Sequence, residues 1–258
     1  MQVIDLYFQS IIMVLEFSYI LERRKLYKMK KHTATSDGVY EHIKEQILHL
    51  ELPPGAAISE IDTAEKYNMS RTPVRDAFKR LEHEGLLEIR PHIGTFISLI
   101  DLNAVSDILY IREVLEYSVL SDLAQIYDSS QGLRIQLILQ EQKELLESDL
   151  SIEELSRAFI HSDNEFHSAL FEAAGRKNVI KFLYAYNSQY ERFRTFINFT
   201  GRDDLQKLYT NHVDIFDCIV NKDLSGLKTC LNHHLYDGVN ASHDIINKTP
   251  EYFTQIHS

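Results

Sequence analysis

Apolar residues recur at helical spacing through most of this chain, and the places where they stop divide it in two. Val74, Ala77, Phe78 and Leu81 form one stripe on one helix. Arg71, Arg75 and Lys79, four apart, lie on a different face. Ser70 is expected to cap this helix through its hydroxyl, and Pro73 falls in the first turn, where no backbone donor is lost. Gly85 stops the helix. Leu87-Glu88-Ile89-Arg90 then reads as a strand, and Pro91 to Ile97 as the rest of a hairpin. Upstream, Val39, Ile43, Ile47 and Leu50 make a helix that starts after the turn-like Thr35-Ser36-Asp37-Gly38 and ends at Pro53-Pro54-Gly55. Ser59 and Glu60 open a second helix, Ile61 to Tyr67. Helix, turn, helix and a two-stranded wing over residues 35–98 is a DNA reader's layout.

A short hinge, 99–103, leads to a region of different character. Helical patterning covers Ala104–Asp128, Gly132–Glu147, Ile152–Ala174, Lys177–Phe199, Arg202–Val220 and Leu224–Val239, with no strand-like alternation of comparable length. The expected fold is therefore mostly α: a winged helix-turn-helix followed by an antiparallel bundle of six or seven helices over 104–245, then a tail, 246–258.

Charge separates the same two regions. The chain has 258 residues and a net charge of −11. Residues 101–258 hold 14 of the 27 basic and 24 of the 38 acidic residues, so this half repels DNA. Lys66 to Arg80, by contrast, carries five cations against Asp76 alone. A basic helix face in so acidic a chain is more than a solvated surface. Cys218 and Cys230 have neither disulfide-framework nor metal-knuckle spacing, which suggests a reducing, cytoplasmic setting. Residues 1–34 form an extension. Val3 to Leu21 is apolar-rich, but Asp5, Gln9 and Glu16 interrupt it and Arg23-Arg24-Lys25 follows it, so it suits neither a signal peptide nor a membrane span. Met29-Lys30-Lys31-His32 reads like a natural start, and translation is expected to begin at Met29.

Polar residues break the bundle's apolar stripes at telling places. Asp163 and His167 are four apart on the face that carries Phe159, Ile160, Phe166 and Leu170. His212 continues the stripe of Leu205, Leu208, Ile215 and Phe216, and His234 that of Leu227, Cys230 and Leu231. Taken singly, each reads as a hydrogen-bonded core histidine. Together, one carboxylate and three imidazoles pointing inward from three helices can satisfy one another through a divalent cation, zinc or nickel, with positions left for water or a ligand. Arg112 shares the apolar face of the first bundle helix with Ile108, Leu115 and Val119, where it needs an anion, either a ligand or an internal Asp or Glu. His161, His233 and His243 read as surface residues. No His-Glu-x-x-His, Gly-rich phosphate loop or nucleophile elbow is present.

Gly55-Ala56-Ala57-Ile58-Ser59-Glu60, Ser70-Arg71-Thr72-Pro73-Val74-Arg75 and Leu81-Glu82-x-Glu84-Gly85-Leu86 together resemble the winged helix-turn-helix of the GntR family of bacterial transcription regulators. Two positions depart from the family pattern: Tyr67-Asn68 replaces Leu-Gly in the inter-helix turn, and Thr63 replaces a core leucine. Asparagine tolerates the left-handed backbone, so the turn is expected to survive. Asp163-x3-His167 with His212 and His234, and Phe166-His167-x2-Leu170-x2-Ala173-Ala174-Gly175, resemble the FCD ligand-binding domain of the FadR-type subgroup, with a small shift at Arg176-Lys177-Asn178. The resemblance implies a transcription regulator and not an enzyme, expected to act as a repressor that binds a palindromic operator as a homodimer and senses a small carboxylate beside the metal. It also implies that Arg112, with Glu116, faces the ligand cavity, and Arg194 and Arg192 are further candidates. If the domain docks as other winged helices do, Arg71 and Arg75 meet guanine edges. Ser70 and Thr72 then take phosphate, Lys79 adds positive charge to the same face, and Arg90, His92 and Gly94 bring the wing to the backbone or minor groove. Two other readings remain open: a metal-dependent enzyme using the Asp/His3 site, and a regulator whose metal is purely structural.

Overall fold

The computed structural model describes residues 35–198 and 201–254; the N-terminal extension and the expected start at Met29 lie outside them. The first helix, α1 (Ser36–Leu48), is capped by Thr35, whose side chain accepts from the Gly38 amide. It ends before Leu50, which adopts a positive φ of 58° instead of extending the helix. Strand β1 (Ala57–Ile58) precedes α2 (Glu60–Lys66), and Ser59 accepts from the amides of Ile61 and Asp62. Asn68 takes φ 50° in the inter-helix turn, so asparagine does serve there. Helix α3 (Arg71–His83) follows, then β2 (Leu87–Arg90) and β3 (Gly94–Ile97).

Two expectations need correction. The wing sheet has three strands in the order β1-β3-β2, because Ala57 and Ile58 pair with Phe96 and Thr95. Ser70 stands at the N-cap of α3, but its hydroxyl makes no capping hydrogen bond. Pro73 supplies the reason: it occupies the third helical position, removing one of the two amides that an N-cap side chain normally serves. Val39, Ile43, Ile47, Val74, Phe78, Leu81, Leu86 and Ile97 close a core that belongs to this domain alone, and Thr63 is buried beside it.

The bundle comprises α4 (Leu102–Ile126), α5 (Ser129–Leu146), α6 (Ile152–Ala173), α7 (Lys177–Ala185), α8 (Ser188–Asn198), α9 (Arg202–Val220) and α10 (Leu224–Ala241), followed by α11 (His243–Lys248). Reciprocal capping boxes start α5 (Asp128 with Gln131) and α6 (Ser151 with Glu154). The span expected as one helix from Lys177 is two, broken at Tyr186–Asn187. Ile180 and Leu183 of α7 pack with Val119 and Phe171, while Tyr190 and Phe193 of α8 enter the main bundle core. Bending at the buried Asn187 lets each half reach its own partners.

The segment expected as a hinge is tied down. Asp101 caps α4, and the Ile100 amide donates to the Tyr252 carbonyl at 2.8 Å. The Thr254 amide donates to the Ile100 carbonyl at 3.0 Å, making a parallel bridge with the residues expected as a tail. Phe253 is buried against Phe196, with ring centroids 5.3 Å apart. Among the described residues no helix is long and apolar enough to cross a membrane.

Candidate functional site

Two sets of side chains stand out, one on the surface of α3 and one inside the bundle. On α3, Val74, Ala77, Phe78 and Leu81 face the domain core, which turns Arg71, Arg75 and Lys79 outward. Ser70 and Thr72 are exposed at the start of the helix. Arg71 Nη2 and Arg75 Nε lie 3.5 and 3.3 Å from the same Glu60 Oε2. The first residue of α2 therefore gathers both guanidiniums, a role that its position as a helix opener did not reveal. Arg80, one of the five clustered cations, turns away: it pairs with Asp37 at 2.5 Å and stacks 3.7 Å over Tyr40. In the wing, Arg90 makes a two-pronged pair with Glu88 (2.9 and 2.8 Å) and lies over Phe96. His92 has φ 63°, held by the turn in which the Ile93 amide donates to the Arg90 carbonyl. Gly94, at φ 152°, pairs with Arg90 across the hairpin, and the tip residue Ile93 is 73 % exposed.

Inside the bundle, Asp163 and His167 from α6, His212 from α9 and His234 from α10 are all buried, with one ligating atom from each within 4.8 Å of the others. Four donors around one zinc at about 2.1 Å lie roughly 3.4 Å apart in a tetrahedron and about 4.2 Å apart when opposed, so the four side chains are near enough to share one ion. Each imidazole has polar neighbours of its own. Gln142 Oε1, an acceptor, is 2.8 Å from His212 Nδ1, which therefore holds the hydrogen and leaves Nε2 as a lone pair. That lone pair faces Asp163 Oδ1 at 3.2 Å. His167 Nδ1 is 2.9 Å from Glu116 Oε2. His167 Nε2 is then shared between Arg112 Nη2 at 3.2 Å and His234 Nε2 at 2.9 Å. Phe166 stacks on His212 at 4.3 Å and limits its rotation.

The electrostatics agree with a ligand set. Burial lowers the proton affinity of His212, and lowers that of His234 well below the ordinary histidine range with help from the two neighbouring imidazoles. Burial alone would raise the carboxyl of Asp163, but the guanidinium of Arg194 overcomes it and holds the group well below the usual range. Arg112 does the same for Glu116. The cluster thus sets three imidazoles beside carboxylates that the neighbouring guanidiniums hold ionised. His212 Nε2 and His234 Nδ1 have no hydrogen-bond partner among the described residues. These donors fit a divalent cation, and the Gln142 and Glu116 contacts are the outer supports that such ligands normally carry.

Arg112 and Arg194, the expected effector arginines, both lie beside the cluster. Arg112 pairs with Glu116 at 2.6 Å, and Arg194 pairs with Asp163 and reaches Asn164 Oδ1 at 2.9 Å. Tyr190 lies between them, 5.0 Å from Arg112 and 5.7 Å from Arg194, and was not singled out in the sequence. A cavity of about 30 Å³, bounded by Asp163, Tyr190, Arg194 and His234 among others, opens beside the site. Arg192 lies elsewhere, at the junction between the two domains, where it donates to the carbonyl and hydroxyl of Ser98.

A winged helix-turn-helix joined to an all-helical bundle around a buried Asp/His3 cluster defines a class of DNA-binding regulators, and comparison with known proteins gives the same class. Residues 35–97 match the profile of the bacterial regulatory proteins of the gntR family, and residues 107–237 that of the FCD domain. Over 217 residues the chain is 32% identical to an uncharacterized HTH-type transcriptional regulator in an unstable DNA locus of Streptomyces ambofaciens, covering 83% of this chain and 88% of the relative. It is 25% identical to the HTH-type transcriptional repressor RspR of Escherichia coli K12, covering 84% and 92%. Its fold is shared with E. coli McbR/YncC, with a TM-score of 0.61 at 20% identity over 82% of this chain and 98% of that one. The chain belongs to the GntR family and carries an FCD domain; it is a DNA-binding transcription regulator.

Proposed function

We propose that the chain is a metabolite-responsive repressor acting in the cytoplasm, a homodimer on a palindromic operator. Arg71 and Arg75 read guanine edges in the major groove, through planar forks that match the O6 and N7 acceptors. Ser70, Thr72 and Lys79 take phosphates, while Arg90, His92 and Gly94 seat the wing on the neighbouring backbone. Exposed apolar residues on the bundle, Tyr110, Ile111 and Val114 of α4 and Phe182 of α7, support the pairing of two copies. The repressing sign follows the name carried by RspR.

One observation supports the sensing half of the reading: a carboxylate and three imidazoles, Asp163, His167, His212 and His234, converge inside the bundle with one ligating atom from each within 4.8 Å of the others. A divalent ion, zinc or nickel, supplies the missing positive charge when bound, with an open position for a ligand. As a metal ligand, Asp163 has less charge to share with Arg194. The guanidiniums of Arg194 and Arg112 then offer donors to a small carboxylate. The 30 Å³ cavity accommodates a water or two, so a carboxylate enters only as Arg194 swings off Asp163.

The test is selection of binding sites from a random duplex library, followed by titration of the selected site with zinc, a chelator and a panel of small carboxylates. An inverted repeat whose affinity falls when zinc and one acid are both present is the expected result. Failure to enrich an inverted repeat overturns the dimeric operator; an affinity indifferent to every acid removes the carboxylate effector.

A further inference from the structure

Helix α8 has two working faces at helical spacing. Tyr190, Arg194 and Ile197 line the cavity beside the histidine cluster. Gln189, Arg192 and Phe196 face the junction with the DNA-binding domain. Gln189 Oε1 accepts from the Asp101 amide at 3.2 Å, and Phe196 packs on Tyr252 and Phe253, whose segment holds Ile100. Arg192 Nη1 donates to Ser98 Oγ at 2.9 Å, and Nη2 donates to the Ser98 carbonyl. Ser98 in turn donates to the Gly85 carbonyl at 2.6 Å, where α3 ends, and its amide donates to Leu86. Two residues of one short helix, Arg194 and Arg192, therefore hold the cluster and the base of the wing respectively.

Arg192 is the unusual member. It is fully buried, yet among the described residues no carboxylate pairs with it; its partners are neutral oxygens, and its Nε has none. Burial lowers its proton affinity, to a pKa of about 10. A buried cation without an anion is costly and is poorly explained as a stability device. It is well suited to a latch, since bonds to neutral acceptors are easier to exchange than an ion pair.

Resting on the metal reading above, we infer that α8 transmits occupancy of the Asp/His3 cluster to the DNA-binding domain, with Arg192 as the positioning residue that grips Ser98. When Arg194 changes its hold on Asp163, the helix shifts, and Arg192 carries that shift to the segment between Gly85 and Asp101. The bond network supplies the two contacts, and the short length of α8 keeps them on one rigid body.

The experiment is backbone hydrogen exchange on the full chain, with and without Zn²⁺ alone, in wild type, Arg192→Met and Ser98→Ala. In wild type, zinc is expected to change exchange both in α6, α9 and α10 and in residues 84–100, the latter by about 5-fold or more. In Arg192→Met the cluster helices still respond, zinc affinity stays within about two-fold of wild type, and the change at 84–100 is lost. Ser98→Ala removes one latch bond from the other side without touching the bundle, and is expected to halve the transmitted response; it carries the test if Arg192→Met does not fold. Zinc-induced protection of the cluster helices with none at 84–100 in wild type overturns the relay and leaves the metal site standing. An undiminished response at 84–100 in both variants overturns Arg192 as the latch. No zinc effect anywhere overturns the metal reading, and the relay with it.

Discussion

Arg71 and Arg75 of α3 are each 55% exposed and share one carboxylate, Glu60, whereas Arg112 and Arg194 of the bundle are almost fully buried and each holds a carboxylate of its own. Side-chain exposure separates two uses of the same residue. An exposed pair is worth about 0–1 kcal/mol, so Arg71 and Arg75 can leave Glu60 for a base edge or a phosphate at little cost. A buried pair forfeits roughly 3–5 kcal/mol when one partner is removed, so Arg112 and Arg194 release theirs only if comparable charge arrives. The surface arginines are ready to exchange partners, and the buried ones form a threshold.

The largest expected effect tests that threshold. Glu116→Ala strands Arg112 in the core and should cost about 3–5 kcal/mol in urea unfolding with chelator present; a loss near that of a surface pair would erase the distinction between the regions. Next comes metal linkage. At zinc one hundred times its dissociation constant, wild type should gain about 2.7 kcal/mol over the metal-free chain, because only the folded state assembles the ligands. His212→Ala should lose most of that gain, and an equal gain in the variant would take His212 out of the site. Arg71→Ala should weaken the selected operator by roughly 1–3 kcal/mol and relax preference at one base pair, while its unfolding midpoint reports a change within about 0.5 kcal/mol. A stability loss as large as the binding loss would mean that the α3 arginines are structural after all.

The smallest effect is a pH slope. His212 and His234 bind protons less readily folded than unfolded. Below an unfolded pKa of about 6.5 the unfolded chain therefore takes up more protons, and stability falls as pH falls. Asp163 and Glu116 are depressed carboxyls, so their contribution holds until pH drops below about 4. Metal-free unfolding from pH 7.5 to 5 should show the slope, and His234→Gln should reduce it; a flat profile would show that these imidazoles are hydrated instead of sealed.

What the residues alone disclosed follows from local rules. The α3 stripe, the turn at Asn68 and the buried Thr63 are set by contacts within a few positions, and the structure has all three. The Asp/His3 cluster was legible because each member interrupts an apolar stripe, which fixes its direction without knowledge of its neighbours. Partners distant in sequence were not legible. Gln142 reaches His212 across 70 positions, and Glu60 meets Arg75 only because α2 and α3 cross. The break at Asn187 was hidden because Ile180, Leu183, Tyr190 and Phe193 keep a continuous helical rhythm; the polar residue within that stripe was its only trace. Arg80 was counted with the DNA-facing cations because spacing does not show that Asp37 and Tyr40 would take it.

The bridge between Ile100 and Phe253 bears on how the chain is made. Asp101 and Thr254, which meet beside it, are 153 positions apart. At about 5–20 residues per second, a ribosome needs roughly 8–30 s to cover that distance. The DNA-binding domain, which closes its own core within residues 39–97, can fold long before then. Newborn chains therefore pass through a period with a finished DNA reader on an unclamped stalk, and the junction that α8 grips is completed only when synthesis reaches the strap.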